Sequence, residues 1–183
     1  ISLGLVGSEM CIRDRAQGIR AEVRALDSVI QGLNNSKAVG KVAVAGATAV
    51  SNLMIDIRQK LTELANSSIT ASQRTIIQRD FTELVSQAAN FVSNATYNGF
   101  ALLTSGAATV NTLANLAGGQ LSLTAQGNVK LFINSLAGAT TTTAANAQSV
   151  IVGQFNDLET SVAQALGTLC LLYTSDAADE GLG

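Results

Sequence analysis

Residues 70–95 read TASQRTIIQRDFTELVSQAANFVSNA, and this stretch decides the fold. A hydroxyl at Thr70 and an amide three residues later at Gln73 fit the capping-box pattern that begins a helix. Apolar residues then recur in alternating steps of four and three, which places them along one helix face as a packing seam. We therefore predict a helix over about residues 71–95 that packs along another helix. The residues of this seam are Ile77, Phe81, Leu84, Ala88, Phe91 and Ala95.

A second apolar seam precedes this helix and predicts a long helix over about residues 16–66. It loses phase near Gly32–Gly40, where we expect a kink, and resumes from Val39 to Leu64. The polar connection at residues 66–69 is short, so the two helices should form an antiparallel hairpin. The seam residues before the break are Ile19, Val23, Leu26, Ile30 and Leu33.

The composition changes after the hairpin, because Lys130 is the only charged residue between Thr104 and Asn156. Asn98-Gly99 and Gly118-Gly119 are turn dipeptides. Short apolar runs with partial alternation predict strands at residues 110–113, 121–124 and 129–133, within a β region over about residues 104–135.

A third seam predicts a returning helix over about residues 144–169. Its apolar residues again step by four and three, so this helix should pack on the hairpin. They are Ile151, Phe155, Leu158, Val162, Ala165 and Leu169.

Both ends of the chain carry strings that look like translations of a common transposase-type sequencing adapter. They are LVGSEMCIRDR at residues 5–15 and CLLYTSDAADE at residues 170–180, and they include the only cysteines, Cys11 and Cys170. We therefore expect residues 1–15 and 170–183 to be adapter-derived and residues 16–169 to be a fragment of the natural sequence.

The composition of residues 16–169 excludes several functional classes. This part lacks Cys, His, Trp and Pro, which removes Cys/His metal sites, cysteine nucleophiles and histidine-based triads. Nine Lys and Arg against eight Asp and Glu leave a formal charge of +1, too little for a nucleic-acid module. No run of about 18 apolar residues lacks polar interruptions, so we expect no membrane insertion. The residues indicate no catalytic site and no cofactor.

Residues 53–103 read LMIDIRQKLTELANSSITASQRTIIQRDFTELVSQAANFVSNATYNGFALL. This segment resembles bacterial flagellins, which show an Ile-Arg pair, a polar turn, an Asp-Phe-x-x-Leu helix and an Asn-Gly turn in the same order. Here the pair ends at Arg58, the helix motif begins at Asp80, and the turn is Asn98-Gly99. Residues 108–126 and 154–169 look most like the flagellins of alphaproteobacteria.

The resemblance implies a mainly α fold, with a long antiparallel helical hairpin, a returning C-terminal helix and a small β-hairpin region. It implies a secreted, extracellular structural subunit of the flagellar filament, which polymerises with other flagellin subunits and binds an export chaperone. Two departures stand out: the terminal helices of the family are missing at both ends, and the outer variable domain is small or missing. The fragment should therefore not polymerise by itself.

Arg58 has two interpretations, a solvated or intrachain charge pair and, from its family position, a contact with a neighbouring subunit or a host receptor. The function of the chain also has alternatives. A hook–filament junction protein shares the helices and the hairpin. A helical interaction or signalling module unrelated to flagella would continue its heptads without the uncharged β segment.

Overall fold

The structure, a computed structural model, describes the backbone of residues 3–179 and the side chains of residues 10 and 12–171. Cys11 and most of the two predicted adapter segments lie outside the described side chains. The elements in chain order are α1 (Leu3–Leu64), α2 (Ala71–Asn94), β1 (Val110–Leu113), β2 (Gln120–Leu123), α3 (Asn128–Ala137), α4 (Ala144–Val150), a π-turn (Ile151–Phe155) and α5 (Asn156–Asp179). The strands β1 and β2 form a two-stranded antiparallel sheet, and the predicted fold class is confirmed.

The chain divides into two compact units, and the first comprises Ile1–Ser36 and Asn111–Ser122. In this unit the hairpin packs on one side of α1. A Cβ added at Gly32 would lie 3.3 Å from Cγ2 of Thr112, and the hydroxyls of Ser36 and Thr112 are hydrogen-bonded. The backbone stays helical through Gly32–Gly40, so the predicted kink does not interrupt the helix.

The second unit comprises Lys37–Val110 and Leu123–Gly183 and contains the main apolar core. Its part of α1 lies close to the end of α2 at Gly46, where an added Cβ would lie 2.6 Å from Cβ of Ala95. Leu102 and Leu103, which follow the hairpin turn, are fully buried in the same core. The helix α3 contacts both α2 and α5.

The predicted capping box at the start of α2 is confirmed. The Gln73 N–H donates to Oγ1 of Thr70 over 3.3 Å, and the Thr70 N–H donates to the Gln73 side chain over 2.9 Å. One residue further on, the Arg74 guanidinium donates to the carbonyls of Leu64 at 2.5 Å and Asn66 at 2.9 Å. The first turn of α2 therefore also satisfies carbonyls at the end of α1, which have no helical partner of their own.

The expected strand at residues 129–133 is wrong, because this segment lies in α3. Val129, Ile133 and Leu136 follow the four–three step of a helix and are fully buried, whereas Leu131, which an alternating strand would bury with Val129, is 53% exposed. Apolar and polar residues alternate over residues 129–133 well enough to suggest a strand. Over the ten residues of α3, however, the buried positions follow the spacing of a helix.

The returning helix contains a feature that the sequence pattern did not predict, the π-turn at Ile151–Phe155. Ala147 and Val150 are buried three residues apart, but the next buried residue is Phe155, five residues later. A π-turn accommodates one extra residue in a helix, which explains this step. Val150 is therefore buried in the core, whereas the predicted seam residue Ile151 is only partly buried.

The length and composition of α1 are relevant to the prediction that no segment enters a membrane. Between Ile12 and Leu64 it is long and apolar enough to cross one, judged by length and composition alone. Val39, Ala43, Ala47 and Val50 of this helix are buried in the core of the second unit, which accounts for part of its apolar character.

Candidate assembly surface

Arg58 projects from α1 toward the start of α5. Its Nη1 atom lies 3.5 Å from Oε1 of Glu159, and its guanidinium carbon lies 5.8 Å from the centre of the Phe155 ring. Phe155 and Glu159 are four residues apart, and side chains at this spacing share one helix face. The Phe155 ring is buried, whereas the side chains of Arg58 and Glu159 are 54% and 51% exposed. The intrachain charge pair is thus present, and about half of the Arg58 side-chain surface remains open to a partner.

An open groove of about 770 Å³ surrounds this pair. Ile55 stands in its wall with 70% of its surface exposed, next to amide and hydroxyl side chains. An exposed aliphatic side chain beside an arginine and a ring of polar groups is typical of a protein–protein contact. The groove is lined by Ser51, Asn52, Met54, Ile55, Arg58, Gln59, Thr62, Glu63, Asn66, Phe155 and Glu159.

Lys60 links the two helices of the hairpin next to this groove. Its Nζ atom lies 3.2 Å from Oδ2 of Asp80 on α2 and 3.4 Å from Oε2 of Glu63 on α1. The hydrogen bond to Asp80, assisted by the charge of Glu63, raises the pKa of Lys60 above its usual range. Lys60 therefore stays charged in the folded chain and fixes one contact between α1 and α2.

Asn98 and Gly99 form the tight turn after α2. Both have left-handed backbone angles, φ 50° and 80°, and the residues on either side, Tyr97 and Phe100, exchange two backbone hydrogen bonds of 2.9 Å. Asparagine and glycine tolerate these angles better than other residues, which explains the dipeptide. Neither residue lines the groove around Arg58.

The predicted seam residues differ in burial. Phe81, Phe155, Leu158 and Val162 are buried, and Ile77, Leu84 and Ile151 are partly buried. Phe91 requires a correction, because it is 36% exposed while its neighbour Val92 is fully buried. Val85 is likewise buried more deeply than Leu84. The buried stripe of α2 is therefore centred about one residue further along the helix than the four–three step indicates.

Several residues that form contacts in this region are not predicted from the sequence. The sequence pattern singles out neither Ile55 nor Glu159. The spacing of Phe155 and Glu159 indicates a shared helix face, but no local pattern shows that Arg58, 101 residues before Glu159, would meet that face. Lys130 was noted for its charge alone, yet its ammonium donates to Oγ of Ser93 at 2.5 Å and to the Ala89 carbonyl at 3.3 Å, joining α3 to α2.

The family model of the bacterial flagellin N-terminal helical region matches residues 8–109. The chain belongs to the flagellin family. The crystal structure of Bacillus cereus flagellin has a similar fold, with a TM-score of 0.69 at 17% identity, covering 83% of this chain and 89% of that chain. The comparison with curated proteins finds no match.

Flagellins are structural proteins of the flagellum, and this family membership makes the chain a subunit of the flagellar filament that assembles with other flagellin subunits. The alternatives of a junction protein or an unrelated helical module have no better support. Among the described residues, no group of three or more His, Cys, Asp or Glu side chains is placed to hold a metal ion.

Proposed function

We propose that the groove around Arg58 is a contact surface between neighbouring subunits of the filament. The observation that carries this proposal is the half-exposed side chain of Arg58, which contacts Glu159 and the Phe155 ring beside the exposed Ile55. An arginine whose position is already fixed loses little conformational freedom when a partner binds. A filament needs heterologous contacts, in which two different surfaces of the subunit meet, and a groove on one side of the second unit suits such a contact.

The test is Arg58→Ala in the full-length protein. Exposed ion pairs contribute at most about 1 kcal/mol, so the free energy of unfolding of the monomer should change little. Polymerisation, followed by sedimentation and electron microscopy, should fall strongly. Arg79→Ala is the matched control, because Arg79 is an exposed arginine on α2 outside the groove and should leave assembly unchanged. Normal filaments from Arg58→Ala would contradict the subunit contact and leave the intrachain pair as its role.

Two further parts of the proposal concern how the protein is exported and whether it catalyses a reaction. We infer that the protein leaves the cell through the flagellar secretion channel with the help of an export chaperone, without membrane insertion. We also infer that its role is structural and not enzymatic. Support comes from the family membership and, for the second point, from the lack of histidine anywhere in the sequence.

We further propose that residues 16–169 are the natural part of the chain, that the flanks derive from a sequencing adapter, and that the source is an alphaproteobacterium. The family match begins at residue 8, so it includes eight residues of the first flank, residues 8–15. Sequencing outward from the locus in the source DNA decides the matter. Coding sequence for further seamed helices on both sides would support the proposal, and genomic reads that retain both flanking strings would contradict it.

A further inference from the structure

The turn after α2 joins two residues that are chemically reactive toward each other. Asn98 is the only asparagine in the sequence that is followed by glycine. The amide carbon of an asparagine side chain can be attacked by the backbone nitrogen of the next residue, because the product is an unstrained succinimide ring. Glycine has no side chain to block this approach. Among the asparagines of this chain, Asn98 is therefore the most prone to ring closure.

The structure leaves this pair accessible and weakly held. Asn98 and Gly99 are both exposed, and a Cβ added at Gly99 would have nothing within 4 Å. The two backbone hydrogen bonds between Tyr97 and Phe100 form an isolated bridge and belong to no longer ladder. Among the described residues, no backbone hydrogen bond uses the Gly99 N–H. A short element with exposed hydrogen bonds opens locally at low free energy.

We propose that Asn98-Gly99 is a site of spontaneous covalent modification, at which Asn98 loses its side-chain nitrogen and becomes isoaspartate or aspartate. The Gly99 nitrogen gives up its proton and forms a bond to Cγ of Asn98. The bond from Cγ to Nδ2 breaks, and Nδ2 takes up a proton from water and leaves as ammonia. Water then opens the succinimide at either of its carbonyls. Opening at Cγ gives aspartate, and opening at the backbone carbonyl gives isoaspartate.

The conformation of the turn controls when this reaction occurs. Asn98 and Gly99 have φ angles of 50° and 80°, both in the left-handed region. In this region the Gly99 nitrogen points away from Cβ of Asn98, so the peptide group between the two residues must rotate before the ring can close. Such a rotation breaks the Tyr97–Phe100 bridge. The closed turn is therefore protected, and the reaction measures how often the turn opens.

Isoaspartate would change the turn itself. The main chain then runs through the former side chain, which adds one methylene between Tyr97 and Phe100, so both bridge hydrogen bonds cannot be kept. Leu102 and Leu103 follow the turn and are fully buried, so the altered chain should pack less well at the end of α2. The inference goes beyond the proposed function, because it does not use the groove around Arg58, and either can fail without the other.

The test is incubation of the 183-residue chain, followed by mass spectrometry of its peptides with fragmentation that locates the modified residue. We expect conversion of the amide to a carboxyl at Asn98, several times faster than at Asn66 or Asn134. These two are matched internal controls, because both are exposed and followed by serine. The rate should rise with pH, because the attacking nitrogen must lose its proton.

Three variants separate the steps. Asn98→Gly removes the amide and suits the same turn type, so its thermal midpoint should not fall during incubation. Asn98→Asp has the charge of the product on an ordinary backbone, and freshly purified it should melt close to the parent chain. The midpoint of the incubated parent should fall below that of Asn98→Asp, because only isoaspartate lengthens the main chain. In concentrated urea, where the turn is absent, Gly99→Ala should slow the reaction.

Four results would contradict the proposal. One is an intact Asn98 in the folded chain after a time in which the urea-unfolded chain has reacted completely. Another is equal modification at Asn66 and Asn134, which would remove the special role of the glycine. A reaction as fast in the folded chain as in urea would show that the turn does not control it. Isoaspartate at Asn98 with an unchanged thermal midpoint would show that the fold tolerates the longer main chain.

Discussion

Gly46 is a helix position where a single added methyl group should lower stability. A Cβ there would lie 2.6 Å from Cβ of Ala95 and 3.1 Å from Cδ1 of Leu103, both closer than van der Waals contact. We expect Gly46→Ala to lower the free energy of unfolding by about 1–3 kcal/mol through overpacking. Gly167→Ala in α5 is the control, because nothing lies within 4 Å of the added methyl group. It should raise stability by about 0.5–1 kcal/mol, as alanine usually does within a helix. Equal urea midpoints for the two variants would contradict the close approach.

Lys60 gives a prediction for alkaline pH. Its pKa is raised in the folded chain, chiefly by the hydrogen bond to Asp80. A raised pKa means that the folded state holds this proton more tightly than the unfolded state does. The contribution is therefore complete below the ordinary lysine pKa of 10.5 and is lost as the pH rises through the higher folded value. The urea midpoint should fall over this alkaline range, and it should fall less in Lys60→Met. Identical pH profiles for both proteins would show that the ion pair has no thermodynamic effect.

The helices and strands show which parts of the fold the sequence alone predicts. The seams and the Thr70 capping box predict α1, α2 and their antiparallel hairpin, because both signals are local and repeat along the chain. The segment at residues 129–133 misleads, since a five-residue window fits a strand while burial over ten residues requires a helix. The contact between Arg58 and Glu159 joins residues 101 positions apart, so no periodicity predicts it. Local sequence patterns thus predict where a helix lies along the chain. They do not predict which residues of distant elements come into contact.

The π-turn yields a prediction at the scale of the element. It adds one residue between Val150 and Phe155, so removing Val152, which is 70% exposed, should leave a regular helix with both flanking seams in register. We expect the Val152 deletion to keep or raise the thermal midpoint. Deleting the exposed Ala163 from the regular part of α5 should lower it clearly, because residues on one side of the deletion turn about 100° away from the core. Circular dichroism melting compares the two, and equal losses would show that the extra residue is needed for folding.

At the scale of the whole molecule, the two compact units should differ in stability. The second unit contains the contiguous core, whereas Val29 is the only large apolar side chain buried among the described residues of the first. Segments that bury little apolar surface open locally at low free energy. Amides of residues 16–30 should therefore exchange with deuterium much faster than those of residues 47–61, although both segments belong to the single helix α1. Mass spectrometry of peptides from the two segments measures the ratio. Equal protection would mean that α1 opens as one cooperative element, and that burial within each unit does not set its local stability.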